Sequence, residues 1–360
     1  MNILFLDSWL RDRAAGSGSA VAIAGLRRGL EALGHEVRVL RPRAALPALD
    51  LTRCVYNVTL RRRVEELADR YDLAVGFDID GWALPRGLPE RLGLRYVVAL
   101  KGVAAEEARF ETGWSRMRFA AIRRLERRNA RKADRVFVTS DYAARAAIAA
   151  YDLDPRRVRI APEALDEAVR RRAAGARAAG RDPGPVVLSV ARQYRRKDTP
   201  TLLRAFADVL DRVPAARLRI VGDGPELPAT RRLAADLGLG DRVTFTGALP
   251  STEALDAEYR RARVFCLPSR QEGFGIVFLE AMAYGLPIAA ARAGATPEVA
   301  PDGETALLVP PGDARALSGA LVRLLTDERL AARLGEAGVA RAARFDWEAA
   351  ARAFEAGLAD

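Results

Sequence analysis

Short runs dense in Val, Ile, Leu and Phe recur along the chain and alternate with segments of helical character. In the first half they read MNILFLDS, HEVRVLRP, DLAVGFDI, RYVVALKG and DRVFVTS; in the second, PVVLSVA, ARLRIVGDG, DRVTFTG, RVFCLPS and LPIAAAR. Strands alternating with helices imply parallel sheets wrapped by helices. Each half has enough strands for its own sheet, and 360 residues exceed what one hydrophobic core organises. The expected class is α/β, with two Rossmann-like doubly wound domains.

Between the two sets of strands, DEAVRRRAAGARAAGRDPGP (166–185) lacks a buried-strand pattern and ends in Pro/Gly punctuation. It divides the chain into a first domain over 1–165, a linker over 166–185 whose first part is helical, a second domain over 186–344, and a closing helix over 345–360 packing back on the first. Doubly wound sheets bind ligands outside the carboxyl ends of their strands, so the site is expected in a cleft between two facing domains.

Composition narrows the class. Half of the residues are hydrophobic and 7% aromatic, without low-complexity blocks beyond Arg/Ala enrichment, as in soluble globular proteins. No apolar run approaches the roughly 20 residues that span a bilayer. The opening MNILFLDSWL has neither a basic n-region nor a small-residue cleavage site, so it reads as a first strand and the setting as cytoplasmic. Cys54 and Cys266 have no partner spacing for a disulfide or zinc site. His35, the one histidine, lies at a helix-to-strand transition, where it caps or packs; Ser-His-Asp or His-metal chemistry is poorly supplied. The net charge of +11 falls wholly in residues 1–180, which carry 34 Lys and Arg against 23 Asp and Glu.

The densest chemical signal is QEGFGIVFLEAMAYGLP (271–287), after the strand RVFCLPS. Glu272 precedes a small loop, Gly273 to Gly275, and a helix carrying Glu280. Outward-pointing N–H groups at such a helix start form an anion site fit for a diphosphate, and a carboxylate one and a half turns along can accept paired hydrogen bonds from a diol. The segment resembles the Glu-x(7)-Glu motif of family 4 retaining glycosyltransferases. That resemblance implies the GT-B architecture, a nucleoside diphosphate sugar as donor, Glu272 on hydroxyls of the transferred sugar, Glu280 on the nucleotide ribose, and the amides around Phe274, Gly275 and Ile276 at the diphosphate.

Other segments extend the resemblance. VLSVARQYRRKDTPTLLRAF places Arg192 and Lys197 to bracket the leaving diphosphate, with Asp198 where many relatives have Gly. RIVGDGPE and DRVTFTGALP, with Gly222, Gly224 and Gly247, resemble strands whose following loops border the base. ATPEVAPDGETALLVPPGD matches a later loop and strand, with Ala306 where Gly is common and Glu298 read as structural. Near the start, AAGSGSAVAIAGLRRGLEALGHEV resembles the glycine-rich turn after strand one, where two glycines let the backbone approach the donor phosphate; Gly18 stands as the second and Ser17 replaces the first. On the acceptor side VVALKGVAAEEARFE has Lys101, followed by Glu106 and Glu107, where relatives carry a histidine; RIAPEALD puts Glu163 where Asn-Gly or Glu-Gly is frequent.

The implied reaction is front-side transfer with retention, from a UDP- or GDP-linked sugar to an acceptor hydroxyl in glycan, glycolipid or cell-envelope biosynthesis, with no metal and no other cofactor. Two rivals share the fold: a nucleotide-sugar 2-epimerase, thinly supplied with acid/base groups, and a non-catalytic nucleotide-sugar-binding protein. Nucleic-acid binding, invited by a pI near 10.3, is disfavoured because Arg is spread along many helices without an aromatic-interleaved module. Residues 116–135, RMRFAAIRRLERRNARKADR, carry nine basic residues with Met117, Phe119, Ile122 and Leu125 interspersed. They form a candidate anionic-membrane surface presenting a lipid-linked acceptor, which makes the protein peripheral at the inner face of the membrane.

Overall fold

A computed structural model of the protein describes residues 1–9, 18–44, 48–179 and 184–359. The chain forms two compact units, Met1–Ala164 with Asp346–Asp360, and Leu165–Phe345.

In the first unit β1 (Asn2–Leu6), β2 (Glu36–Leu40), β3 (Leu73–Phe77), β4 (Arg95–Ala99), β5 (Arg135–Val138) and β6 (Val158–Ile160) form one sheet, ordered β2-β1-β3-β4-β5-β6. Every pairing is parallel. The central strands β1 and β3 are buried on both faces, which is why their sequences are continuous apolar runs. The chain steps from β1 outward to β2, then crosses to the other side of β1 for β3, so its winding reverses between β1 and β3.

The second unit repeats the design with β7 (Val186–Val190), β8 (Arg217–Val221), β9 (Val243–Gly247), β10 (Val264–Leu267), β11 (Ile288–Ala291) and β12 (Ala306–Val309). Their order is β12-β11-β10-β7-β8-β9, again parallel, and the winding reverses between β7 and β10. Two buried clusters flank this sheet. One contains Phe265, Phe278 and Tyr259 with Ala173 and Ala176, the other Leu202, Phe206, Leu317 and Leu321.

The helix Glu167–Ala178, in the stretch read as a linker, packs into the second unit. Its buried face is Ala173 and Ala176, and Arg172 reaches Asp256 at 2.5 Å. The closing helix Trp347–Ala359 lies with the helix Gly18–Ala32. The Trp347 ring fills the space where a Cβ on Gly25 would stand, and the Phe354 ring centroid is 4.2 Å from that of Phe137. His35 packs: its side chain is 9% exposed and its Nε2 lies 2.6 Å from the Glu355 carboxylate, tying β2's lead-in to the closing helix. Cys54 is exposed and Cys266 buried, and both are free.

Candidate active site

The reversal points of the two sheets each carry charged groups, and the second unit's is the one its motifs foretell. After β7 the chain makes a single turn of 3-10 helix, Arg195–Lys197; after β10 it enters the loop that holds Glu272. Lys197 Nζ meets Glu272 Oε1 at 2.5 Å, and an Arg196 nitrogen lies 4.0 Å from the other oxygen. Glu272 is 5% exposed. Burial by itself raises a carboxyl's pKa, but Lys197 and Arg196 outweigh it, so Glu272 is held below the usual carboxylate range and stays ionised. Arg192 is exposed, its guanidinium 5.5 Å from the Tyr194 ring centroid, and it pairs with no carboxylate among the described residues.

Asp198 adopts a left-handed backbone, φ 51°, the conformation that favours glycine. Its carboxylate turns away from Lys197, accepting from Thr201 Oγ1 (2.9 Å) and Arg270 Nε (2.7 Å). The acid is therefore engaged by Thr201 and Arg270, and Lys197 keeps Glu272 as a partner.

Gly275, at φ 93°, opens the helix Ile276–Ala283, and a Cβ there would lie 2.7 Å from the Phe278 ring. The first-turn amides at Gly275 and Ile276 have no acceptor within the helix. Phe274 contributes backbone only: its side chain is buried against Phe345, the ring centroids 5.8 Å apart. Glu280 is half-buried and accepts from Tyr259 Oη at 2.7 Å. Burial, reinforced by Asp256 and Asp166, raises its pKa.

Gly222 and Gly224 are needed for close approach of loops. A Cβ on Gly222 would sit 2.1 Å from Ala191 O, and one on Gly224 2.5 Å from Gln193 O, so these glycines let the loop after β8 pack on the loop after β7. Gly222 N donates to Gly247 O at 2.8 Å, continuing the contact to β9. Gly294 went unread in the sequence. At φ 58° it sits against the Glu272 backbone, where a Cβ would come within 2.5 Å of Glu272 O, and Ala295 N donates to that same oxygen. Its only sequence signal is the small-residue run ARAGA after β11. Glu298 lies in the short helix Thr296–Val299.

The remaining expected residues belong to the first unit. Gly18 is the first residue of its helix, with open space where a Cβ would be; Gly16 and Ser17 lie outside the described residues. Lys101 is buried in an ion pair with Glu163 (3.1 Å), and its backbone N donates to Asp78 Oδ1 (2.8 Å). Glu106 accepts from Tyr142 Oη and pairs with Arg109. The buried charged residues Asp7, Arg53, Asp78 and Asp80 of the first unit were not singled out in the sequence.

Two parallel doubly wound sheets, the second with a cation–carboxylate pair and a helix start at its reversal point, are the architecture of the GT-B fold class. The family model "Glycosyl transferases group 1" matches residues 176–341 and "Glycosyltransferase Family 4" matches 16–169, so the chain belongs to the family 4 glycosyltransferases. A GDP-mannose-dependent alpha-(1-6)-phosphatidylinositol monomannoside mannosyltransferase from Mycolicibacterium smegmatis is 42% identical over 161 residues, 43% of this chain and 42% of the relative. A D-inositol 3-phosphate glycosyltransferase from Acidothermus cellulolyticus is 38% identical over 230 residues, 60% of this chain and 51% of the relative. The chain thus spans about half the length of these curated relatives. Sucrose-phosphate synthase from Thermosynechococcus elongatus superposes with a TM-score of 0.80 at 26% identity, covering 100% of this chain and 98% of that one.

Proposed function

We propose that the protein transfers a sugar from a UDP- or GDP-linked donor to an acceptor hydroxyl, with retention of anomeric configuration and without a metal ion. The observation that carries this is the buried Lys197–Glu272 pair at the reversal point of the second sheet, where ligands of such sheets bind. As the glycosidic bond breaks, negative charge grows on the departing diphosphate. Lys197, Arg192 and the amides of Gly275 and Ile276 are preorganised cationic and dipolar groups for it, the role a divalent ion fills elsewhere. Glu272, kept ionised by Lys197, accepts hydrogen bonds from donor-sugar hydroxyls and orients the ring. Glu280, with one oxygen on Tyr259, has its other for the ribose diol. The acceptor oxygen attacks the anomeric carbon on the face the diphosphate leaves, and its proton passes to that diphosphate. The relatives named above are transferases, which supports this reading over a 2-epimerase. Their inositol-linked names fit an acceptor in glycolipid or cell-envelope synthesis, with the protein peripheral at an anionic membrane through residues 116–135.

The test supplies GDP-mannose or UDP-glucose with an acceptor pool and follows nucleoside diphosphate release and product anomer by NMR. Expected are acceptor-dependent release, an unchanged anomer, indifference to EDTA, and a rate loss of about 10²–10³-fold in Lys197→Ala. Loss of activity in EDTA restored by manganese would refute the metal-free part. Conversion of UDP-GlcNAc without acceptor would favour the epimerase.

A further inference from the structure

A cavity of about 300 Å³ opens on the first unit, lined by Leu84, Arg86, Arg128 and Lys132. It shares no residue with the donor groups. Lys132 is the last residue of the helix Gly113–Lys132, just before β5 begins, and its ammonium lies 5.5 Å from the ring centroid of Tyr96, the second residue of β4. Both positions mark the amino ends of these strands, the end opposite to the one at which doubly wound sheets receive their ligands.

Three cations meet at this cavity without a counter-charge. Elsewhere on the basic stretch 116–135, Arg118 pairs with Asp50, and Arg127 and Arg131 pair with Asp152 at 3.7 and 3.4 Å. Arg128 and Lys132, one turn apart on the same helix, pair with no carboxylate among the described residues. Neither does Arg86, which enters from the loop ahead of the helix Leu88–Arg91. The Lys132 ammonium has three N–H donors. Two go to the carbonyls of Gly81 and Leu84, the latter at 2.9 Å, which anchors the ammonium at the cavity wall; the third has no acceptor among the described residues. Burial pushes Lys132 down to about 7, and Arg128 pushes the same way. The Arg128 guanidinium lies 5.8 Å from the Trp82 ring centroid, and both arginines are exposed. Like charges gathered around a hollow repel one another, and an anion entering it relieves that repulsion.

The donor types narrow the anion. Guanidinium forks match planar or tetrahedral oxyanions with paired hydrogen bonds, and an ammonium adds a compact point charge. A monocarboxylate would leave most of the positive charge uncompensated. A phosphomonoester brings about two negative charges at neutral pH and three acceptor oxygens, as many as there are cations. The volume is at the lower end for small-molecule sites, so it holds the phosphate and a short carrier against Leu84.

We infer that this cavity is an anion site separate from the donor groups, and that it binds a phosphomonoester through Arg86, Arg128 and Lys132. The phosphate is carried by a soluble metabolite or by a lipid headgroup; the chemistry that recognises it is the same. The site belongs to the first unit alone and stands whether or not the donor reading holds.

Glycerol 3-phosphate is the probe in solution, and phosphatidic acid, the same phosphomonoester on a lipid, is its counterpart in vesicles. The full chain is titrated calorimetrically at constant ionic strength with GDP and UDP in excess, so that Arg192 and Lys197 do not compete for the probe. Saturable binding is expected, with acetate at least about tenfold weaker, and the probe should raise the first unit's thermal transition without moving the second's. Arg86→Gln and Arg128→Gln, at exposed positions, should each weaken the probe about tenfold and leave nucleoside diphosphate affinity unchanged. For the lipid source, co-sedimentation should favour phosphatidic acid over phosphatidylglycerol at equal surface charge, a preference that both substitutions remove. Binding of the free probe, or that vesicle preference without it, supports the site and tells the two sources apart. The inference is overturned if the free probe fails to bind up to roughly 20 mM and the two vesicles bind equally. It is also overturned if acetate binds as tightly as the phosphate, or if binding survives both substitutions.

Discussion

The two reversal points treat their carboxylates in opposite ways. Glu272 is stabilised as an anion, whereas burial pushes Asp7 and Asp78 up to about 6, more than the Trp9 amide and the Arg53 guanidinium respectively pull back. A carboxyl whose folded pKa is raised holds its proton more tightly folded than unfolded. Its contribution to stability is therefore fullest below the unfolded value near 3.8 and is lost as pH rises through about 6. Ionised Asp78 is thus a cost to the first unit at neutral pH. Asp78→Asn, which keeps an oxygen for Lys101 N, should raise that unit's stability by roughly 1–2 kcal/mol at pH 8, the gain shrinking as pH falls toward 4. Thermal melts at the two pH values read this directly, and an unchanged or lowered stability at pH 8 would contradict it. At this scale the sequence exposed what is local. Glu272 and Glu280 share one loop and helix, and Lys197 stands a fixed step beyond β7, so their spacing could be matched to the motif of the family the sequence resembles. Arg53 was hidden because it sits 45 residues beyond Ser8 on an Arg-rich chain, and only the fold makes it a buried partner. Gly294 was hidden because its reason is the Glu272 backbone on another loop.

Among elements, strands were the most legible, since a strand buried on both faces writes an unbroken apolar run. The helix Glu167–Ala178 was harder because its buried positions are Ala173 and Ala176, too small to mark an apolar face. The basic stretch 116–135 also divides differently from its sequence. Phe119, Ile122 and Leu125 are half-buried and Glu126 is buried, its carboxylate accepting from Ala104 N, whereas Met117 is 63% exposed and Trp114, just before the stretch, 78%. Arg118 pairs with Asp50 (Nη2–Oδ1 2.8 Å) on the helix Leu49–Glu65, whose outward side shows Leu51, Val55 and Val58. Five exposed apolar side chains thus lie on two helices joined by an ion pair, with Arg116, Arg123 and Arg124 exposed on the helix Gly113–Lys132. Apolar residues with a tryptophan among arginines suit an anionic lipid surface. Co-sedimentation with vesicles should rise with anionic lipid and fall with salt, at about 1 kcal/mol per engaged Arg. Trp114→Ala should weaken binding at every salt concentration, whereas Arg123→Glu with Arg124→Glu should flatten the salt dependence. A chain that ignores anionic vesicles at low ionic strength would point to a water-soluble acceptor.

For the whole molecule, the consequential feature is that the first unit is completed by the far end of the chain. Trp347–Ala359 supplies Trp347 against Gly25, a close approach of its backbone to Gly29, and Phe354 against Phe137. It adds the Glu355 carboxylate to His35 and the Leu358 carbonyl to Arg95 at 2.7 Å. The sequence shows an amphipathic helix there but not its glycine-lined seat, because the seat is 320 residues away. Damage at the seat should therefore separate the two units energetically. A Cβ at Gly25 would stand 1.9 Å from the Trp347 ring, so Gly25→Val must displace the indole or the helix, at a cost of roughly 2–4 kcal/mol. Units with separate cores melt with their own transitions. In Gly25→Val the first unit's transition should fall while the second unit's stays in place, and saturating nucleoside diphosphate should still raise the second. At a hundredfold excess over Kd the linkage amounts to about 2.7 kcal/mol, enough to resolve in a calorimetric scan. If Gly25→Val lowered both transitions together, or if nucleotide moved the first unit's transition alone, the assignment of the donor groups to the second unit would have to be abandoned.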